Sequence, residues 1–251
     1  MKQDLVSIIT PAYKAAAYVG DTIASALAQS YGEWEMLIAD DCSPDDTRAV
    51  VAQWAERDPR VRLLAMTRNG GPAAARNAAL AQAQGRWIAF LDSDDLWLPA
   101  KLERSLAHAQ ANGAALVFTG FRRISFDGSR TGDYIGVPRT LTYRQLLGNT
   151  AIATSTVLID RAQCGEVWMK PVFYDDFACW LEILKRGFVA HGLDEDLMRY
   201  RVMPRSVSRN KKRSAQEVWK AYRQVEGLGP LTSAWHFTSY ALHALRKYRQ
   251  F

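Results

Sequence analysis

An apolar run that stops abruptly in three acids, Trp87-Ile-Ala-Phe-Leu-Asp-Ser-Asp-Asp-Leu-Trp97, constrains this chain more than any other feature. Its apolar half reads as a strand buried on both faces, the kind found inside parallel sheets. Asp92, Asp94 and Asp95 at its carboxyl end repel one another and have no packing use. Such a cluster is tolerated where positive charge sits among the oxygens, and hard divalent cations prefer oxygen ligands. In open α/β sheets, ligands bind beyond the carboxyl ends of the strands. The pattern therefore predicts a metal-dependent site that handles phosphate. Asp92 and Asp94, two apart in an extended segment, would share one face and hold Mg2+ or Mn2+. Asp95 suits the N-cap of a helix expected near Pro99.

The rest of the chain supplies the sheet. Short apolar runs at residues 5–10, 34–39, 61–65, 87–91, 114–119 and 155–159 read as strands. Helical patterns fall between them at 17–29, from Ser43-Pro44 to about Arg57, at 72–84 ended by Gly85, and at 99–110. Phe177, Trp180, Leu181 and Leu184 mark one face of a further helix that Gly187 ends. This alternation predicts βαβ units and a mainly parallel sheet with helices on both faces. Residues 126–138 have no period and read as a functional or disordered loop. A boundary is expected near residue 200, between a catalytic domain (1–200) and a helical, basic C-terminal extension (201–251).

Composition narrows the class. At 251 residues and 48% hydrophobic content, the chain can bury a full core. Cys42, Cys164 and Cys179 show no ligand spacing, which points to a reducing cytoplasm and away from disulfides or structural zinc. The first residues lack the apolar core of a signal peptide, and no run reaches the roughly 18 apolar residues that span a bilayer. A cytoplasmic protein, soluble or peripheral on the inner face of the membrane, is expected. The net charge of +6 is uneven: residues 199–251 hold 12 Lys/Arg against 2 Asp/Glu, the remainder 20 against 24.

Four other segments carry candidate chemistry. Asp40-Asp41 also ends an apolar strand, where a carboxylate can accept a hydrogen bond from a nucleobase imide or simply face the following helix dipole. Pro11-Ala12-Tyr13 follows the first strand and offers a surface for the base, or is just a turn. Asn69-Gly-Gly-Pro-Ala-Ala-Ala-Arg-Asn77 resembles an anion-binding loop without the order of a dinucleotide or P-loop motif. Within it Arg76 can reach a base or phosphate, or make a surface ion pair. Asp175-Asp176 opens the helix of Trp180, either as an ordinary helix start or as a general base near the metal site.

Taken in order, these segments resemble family 2 glycosyltransferases of the GT-A fold, especially bacterial enzymes of capsule, lipopolysaccharide and teichuronic-acid assembly. Val6-Ser-Ile-Ile-Thr-Pro-Ala-Tyr13, Asp40-Asp-Cys-Ser-Pro-Asp-Asp-Thr47, Gly71-Pro-Ala-Ala-Ala-Arg-Asn77 and Leu91-Asp-Ser-Asp-Asp-Leu-Trp97 match its motifs in sequence. The likeness continues through Asp194–Val202 and Ser206-Val-Ser-Arg-Asn-Lys211 to the helix of Trp219. It implies a nucleotide-sugar donor, a UDP-sugar foremost, a glycan or polyprenyl-linked acceptor, and inversion at the anomeric carbon. It further implies that Asp41, backed by Asp40, contacts the base along with Pro11, Ala12, Tyr13, Arg76 and Ser93. Asp94 would bind the metal, Asp92 would support the ribose or the ion, and Asp176 would be the catalytic base. Lys14 stands where many members carry Asn, and Asp175 precedes the base position, so the two acids can exchange roles.

A divalent ion that stabilises a departing diphosphate, plus one base opposite it, suffices for such a transfer without a covalent nucleophile. The basic tail interleaves Trp235, Phe237, Tyr240, Leu242, Leu245 and Tyr248 with Arg209–Arg213 and Arg246–Arg249. It suits an anionic membrane surface, or a helix packing its aromatics inward. No reading motif accompanies the charge, so nucleic acid is not an expected partner. Two other functions compete: a sugar-nucleotide nucleotidyltransferase, which the missing Gly-rich Arg/Lys loop after the first strand disfavours, and a non-catalytic scaffold subunit.

Overall fold

The computed structural model describes residues 1–149, 151–203 and 211–247. Four strands, β1 (Lys2–Ala12), β2 (Trp34–Asp40), β3 (Val61–Ala65) and β4 (Gly85–Phe90), lie parallel in the order β3-β2-β1-β4. Every residue of β2 is buried, which is why this half reads as continuous apolar runs. Neighbouring residues of β1 point to opposite faces, so Ile8 joins one apolar core and Ile9 the other. The Ile8 core is closed by α1 (Val19–Leu27), α2 (Thr47–Arg57) and α4 (Lys101–Asn112). The Ile9 core is closed by α3 (Gly71–Leu80), α5 (Tyr143–Leu147), α6 (Arg161–Cys164) and α7 (Asp175–Lys185). The expected α/β architecture with helices on both faces is thus present.

The sheet is mixed, beyond the mainly parallel expectation. Past β4 come β9 (Leu158–Asp160), antiparallel to both neighbours, then β6 (Leu116–Ser125) and β10 (Ala190–Val202), parallel to each other. The 3-10 turn Thr154–Thr156 enters β9 from beside the carboxyl end of β4, so the strand has to run back along it. Three short strands complete the sheet: β5 (Leu96–Trp97) and β8 (Thr140–Leu141) pair with β10, and β7 (Thr131–Ile135) pairs with β6. The stretch expected to be an irregular loop therefore contains β7.

Helix boundaries also move. Helix α2 starts at Thr47 instead of Ser43-Pro44, because Asp45 Oδ1 accepts both Thr47 Oγ1 (2.6 Å) and Thr47 N–H (3.3 Å). Helix α3 stops at Leu80, and Gly85 opens β4 instead of ending the helix. A Cβ at Gly85 would stand 2.3 Å from the Leu5 carbonyl oxygen, so only glycine fits beside β1. Gly113 closes α4 as expected, in the left-handed region at φ 59°.

After β10, helices α8 (Lys211–Lys220) and α9 (Pro230–Lys247) return to the Ile9 core. Val218 and Tyr222 are buried there, and Phe237 and Tyr240 pack against it. No helix of the described residues is long and apolar enough to cross a membrane. The Ser206–Asn210 part of the motif noted above lies outside the described residues, as does Tyr248. The same holds for the side chain of Leu245 and for much of the two basic clusters.

Lys101 at the start of α4 is fully buried, with Nζ 4.1 Å from the Trp97 ring centre and no hydrogen-bond partner among the described residues. Burial alone pushes its pKa from 10.5 down to about 7. The unfolded chain keeps that proton to higher pH than the folded one, so stability rises as pH climbs from about 7 towards 10.5. Lys101→Met is expected to raise the thermal midpoint most near pH 7 and to flatten that rise. Melting both proteins from pH 7 to 10 checks it, and parallel curves would remove this role for Lys101.

Candidate active site

The acidic strand end folds differently from the extended segment expected. β4 ends at Phe90, and Asp92 O accepts Asp95 N–H at 3.1 Å, closing a turn with Ser93 and Asp94 at its tip. Asp92 and Asp94 remain neighbours, but through the turn and not through strand alternation. Asp95 does not cap α4. It is buried and accepts Ser155 Oγ–H (2.6 Å) on one oxygen and the Arg201 backbone N–H (2.9 Å) on the other. Burial, then Asp94 and Asp92, push its carboxyl well up. Ser155 Oγ also accepts the Asp92 N–H (3.0 Å), so one hydroxyl fastens both ends of the turn. Arg201 fastens the tip from below, donating Nε–H to the Asp94 carbonyl (2.8 Å) and Nη1–H to the Phe126 carbonyl (2.9 Å).

Arg76 joins this turn to the start of α7. Its Nη2 donates to Asp92 Oδ1 and its Nη1 to Asp175 Oδ2, each at 2.7 Å. Arg76 and Asp175 are buried, and Asp92 is partly so. Burial opposes the guanidinium charge, but Asp92, Asp175 and Asp176 outweigh it and hold Arg76 protonated far above its ordinary range. Burial raises the Asp175 carboxyl despite Arg76 beside it. Asp176, one residue on, is only partly buried, with Oδ2 accepting the Thr154 hydroxyl (2.5 Å) and Oδ1 its neighbour's Phe177 N–H (2.7 Å).

The second acidic strand end connects to α3, the helix that carries Arg76. Asp41 accepts the Gly70 N–H (2.7 Å) and the Gly71 N–H (2.8 Å), one on each carboxylate oxygen, at the start of α3. It thereby places the helix that carries Arg76. Asp40 is buried behind it and paired with Arg48, with Nη2 to Oδ2 at 2.9 Å. Pro11 and Ala12 end β1 alongside Ala39 and Asp40, and the Ala12 carbonyl accepts the Asp41 N–H at 2.8 Å. Tyr13 is exposed, with Lys14 Nζ 5.3 Å from its ring centre. Arg76, Asp92, Asp175 and Asp176 are thus gathered directly, with Ser93 and Asp94 on the attached turn. Asp40, Asp41 and Pro11–Tyr13 are linked to them through α3.

A divalent cation fits one part of this arrangement. Burial and the neighbouring Asp92 push the Asp94 carboxyl up to about 6, the mark of clustered oxygens short of positive charge. Among the described residues no three acidic, histidine or cysteine side chains form a complete cage. The protein would therefore give one or two oxygens and leave the other positions to phosphate and water, as magnesium-type sites do.

Thr154, Ser155 and Arg201 were not among the expected site residues. Their only signals are the hydroxyl run Thr154-Ser-Thr156 before an apolar strand and an arginine in the acidic-basic stretch before residue 202.

Comparisons with known proteins agree with this geometry. The family model described as glycosyl transferase family 2 matches residues 7–161. A Bacillus subtilis (strain 168) protein named as a teichuronic acid biosynthesis glycosyltransferase, TuaG, is 43% identical over 244 residues, 97% of each chain. The Escherichia coli protein WfgD, named as a UDP-Glc:alpha-D-GlcNAc-diphosphoundecaprenol beta-1,3-glucosyltransferase, is 34% identical over 99% of this chain and 96% of its own. Among solved structures, residues 1–349 of S. aureus TarS in complex with UDP-GlcNAc superpose with a TM-score of 0.72 at 18% identity, over 96% of this chain and 72% of that one. The mannosyltransferase PcManGT from Pyrobaculum calidifontis, in complex with GDP-Man and Mn2+, gives 0.70 at 19% identity, over 95% and 73%. These two share the GT-A fold with this protein. The chain belongs to glycosyl transferase family 2 and is a glycosyltransferase.

Proposed function

We propose that this glycosyltransferase is an inverting, metal-dependent enzyme of cell-envelope glycan synthesis. It takes a sugar from a nucleotide-sugar, a UDP-sugar foremost, to a glycan or polyprenyl-linked acceptor at the inner face of the cytoplasmic membrane. The Arg76 bridge supports the reading, because it ties the acidic end of β4 to the first turn of α7, where Asp175 and Asp176 stand. The names of TuaG and WfgD support the pathway and the acceptor class. The UDP-GlcNAc bound to TarS and the Mn2+ bound to PcManGT support the donor class and the cation.

In this reading Asp94, with Asp92, would hold Mn2+ or Mg2+, which supplies positive charge for the departing diphosphate. Asp176 is the base. It is the more accessible of the two acids, while Asp175 is buried and held by Arg76. Asp176 takes the proton of the acceptor hydroxyl as the hydroxyl oxygen bonds to the anomeric carbon. The bond from that carbon to the diphosphate oxygen breaks, and its electron pair leaves with the nucleotide. Thr154 holds one Asp176 oxygen in place. Asp41, Pro11, Ala12, Tyr13 and Ser93 form the nucleotide side, with Asp40 behind Asp41. Arg76 serves as a strut between carboxylates in place of a base contact.

The test is nucleotide release from a panel of UDP-, dTDP- and GDP-sugars with Mn2+ or Mg2+. Release from none of them, with acceptor lipid present, would overturn the reading. Asp176→Asn is expected to keep donor affinity while cutting turnover by about 10²–10⁴. Unchanged turnover would transfer the base role to Asp175. Asp94→Ala is expected to erase the difference in donor affinity that calorimetry measures with and without metal. A wild type that binds donor equally in both conditions would refute the cation role. Arg76→Met strands two carboxylates and is expected to cost about 3–5 kcal/mol in urea unfolding, with Arg76→Lys recovering part of it.

A further inference from the structure

The described side chains of α9 include an inward-facing and an outward-facing set. Ser233, Phe237 and Tyr240 turn inward: Ser233 is buried, Phe237 stacks on Tyr240 at 6.2 Å, and Trp219 meets Phe237 edge-on at 5.9 Å. Leu231, Trp235 and Leu242 are 87%, 77% and 55% exposed. Spaced by four and seven residues, they form one stripe along the outer face of the helix. Packing of the inner face thus leaves a second apolar face in solvent, and such patches mark contact sites. A cavity of about 610 Å³ opens beside the stripe, lined by Tyr143, Leu147, Leu228 and Trp235, with Arg144 and His236 in its wall.

The charge around the stripe has one sign. Helix α9 contains no acid. The two acids of residues 199–251 are already engaged, Glu217 by Lys220 at 2.8 Å and Glu226 by Lys185 at 2.8 Å and Tyr143 at 2.6 Å. Arg144 and Arg223 are exposed nearby, and the sequence ends α9 in Arg246-Lys247. An isologous dimer through this stripe would press two positive faces together. An apolar stripe flanked by cations matches the headgroup boundary of an anionic bilayer, where apolar groups bury and cations meet phosphate.

We infer that Leu231, Trp235 and Leu242 of α9 seat the protein on an anionic membrane surface. This rests on the lipid-linked acceptor reading for its purpose but not for its physics, since the contact requires neither donor nor acceptor. The extension is bolted to the catalytic part by Tyr222 OH to the Leu147 carbonyl, Ser239 Oγ to the Gly148 carbonyl (3.1 Å) and Lys185 to Glu226. A protein seated this way has its base-bearing helix held in a fixed attitude to the lipid.

The test is flotation of the full chain with phosphatidylglycerol vesicles and with phosphatidylcholine vesicles, without substrate. Binding to the anionic vesicles is expected to exceed binding to the neutral ones, and to fall about tenfold or more in Trp235→Glu and in the Leu231→Glu/Leu242→Glu double variant. Unchanged melting temperature and nucleotide release in the variants would assign the loss to the surface. Equal flotation of wild type and variants overturns the inference. So does light scattering that shows a wild-type dimer abolished by Trp235→Glu. If vesicle binding fails while nucleotide release persists, the membrane surface is wrong and the transferase reading stands.

Discussion

The site depends on a guanidinium placed where neither water nor backbone can satisfy it. Arg76 is buried, and what makes it tolerable is two carboxylates at 2.7 Å, one on each terminal nitrogen. Burying the ions separately would cost far more than their attraction returns, so none of the three is stable there without the others. The planar fork of arginine suits the task, because its two terminal nitrogens point in fixed directions at once. One direction meets the turn after β4, the other the first turn of α7. Those elements are far apart in sequence, since Asp92 lies 16 positions from Arg76 and Asp175 lies 99. Beside this bridge, neighbouring hydroxyls also hold the turn and the helix start, Ser155 on Asp95 and Thr154 on Asp176.

The bridge is itself positioned by another carboxylate. Asp41 takes the amide protons of Gly70 and Gly71, the N-cap and first residue of α3, at the end of a helix that carries partial positive charge. A nucleotide base set against Asp41 would therefore press on the loop that aims Arg76, and through it on Asp92 and Asp175. The small side chains of α3 allow this. Ala73, Ala75 and Ala79 let the helix lie close to the sheet, which keeps the Arg76 side chain short of solvent.

The parallel half of the sheet was legible because β2 and most of β4 are buried on both faces and so read as largely apolar runs. The acidic ends of β2 and β4 were legible for the opposite reason, as charges where burial should continue. What escaped had its polarity neutralised elsewhere. β10 reads as a charged stretch, yet Glu195 pairs with Arg104, and Asp196 with Arg122 and Arg199, so the strand adds to the sheet with its charges satisfied. The turn at Asp92–Asp95 was read as extended because alternation assumes that the strand continues. In fact, the pairing of β4 to β9 starts at Ala89 and leaves the acids free to turn. Ser155 and Thr154 were invisible for want of distance information: small hydroxyls are common, and their partners lie 60 and 22 residues away.

The C-terminal helices share a core with the sheet and with α7. Tyr222 and Val218 are buried in the same core as Trp180 of α7 and Phe90 of β4. Glu226 is met by Lys185 at the far end of α7 and by Tyr143 of α5. Helix α7 is therefore held at its start by Arg76 and at its end by the extension. A helix pinned at both ends transmits displacement along its axis in place of bending, because a single α-helix of 11 residues has no hinge of its own without Pro or Gly.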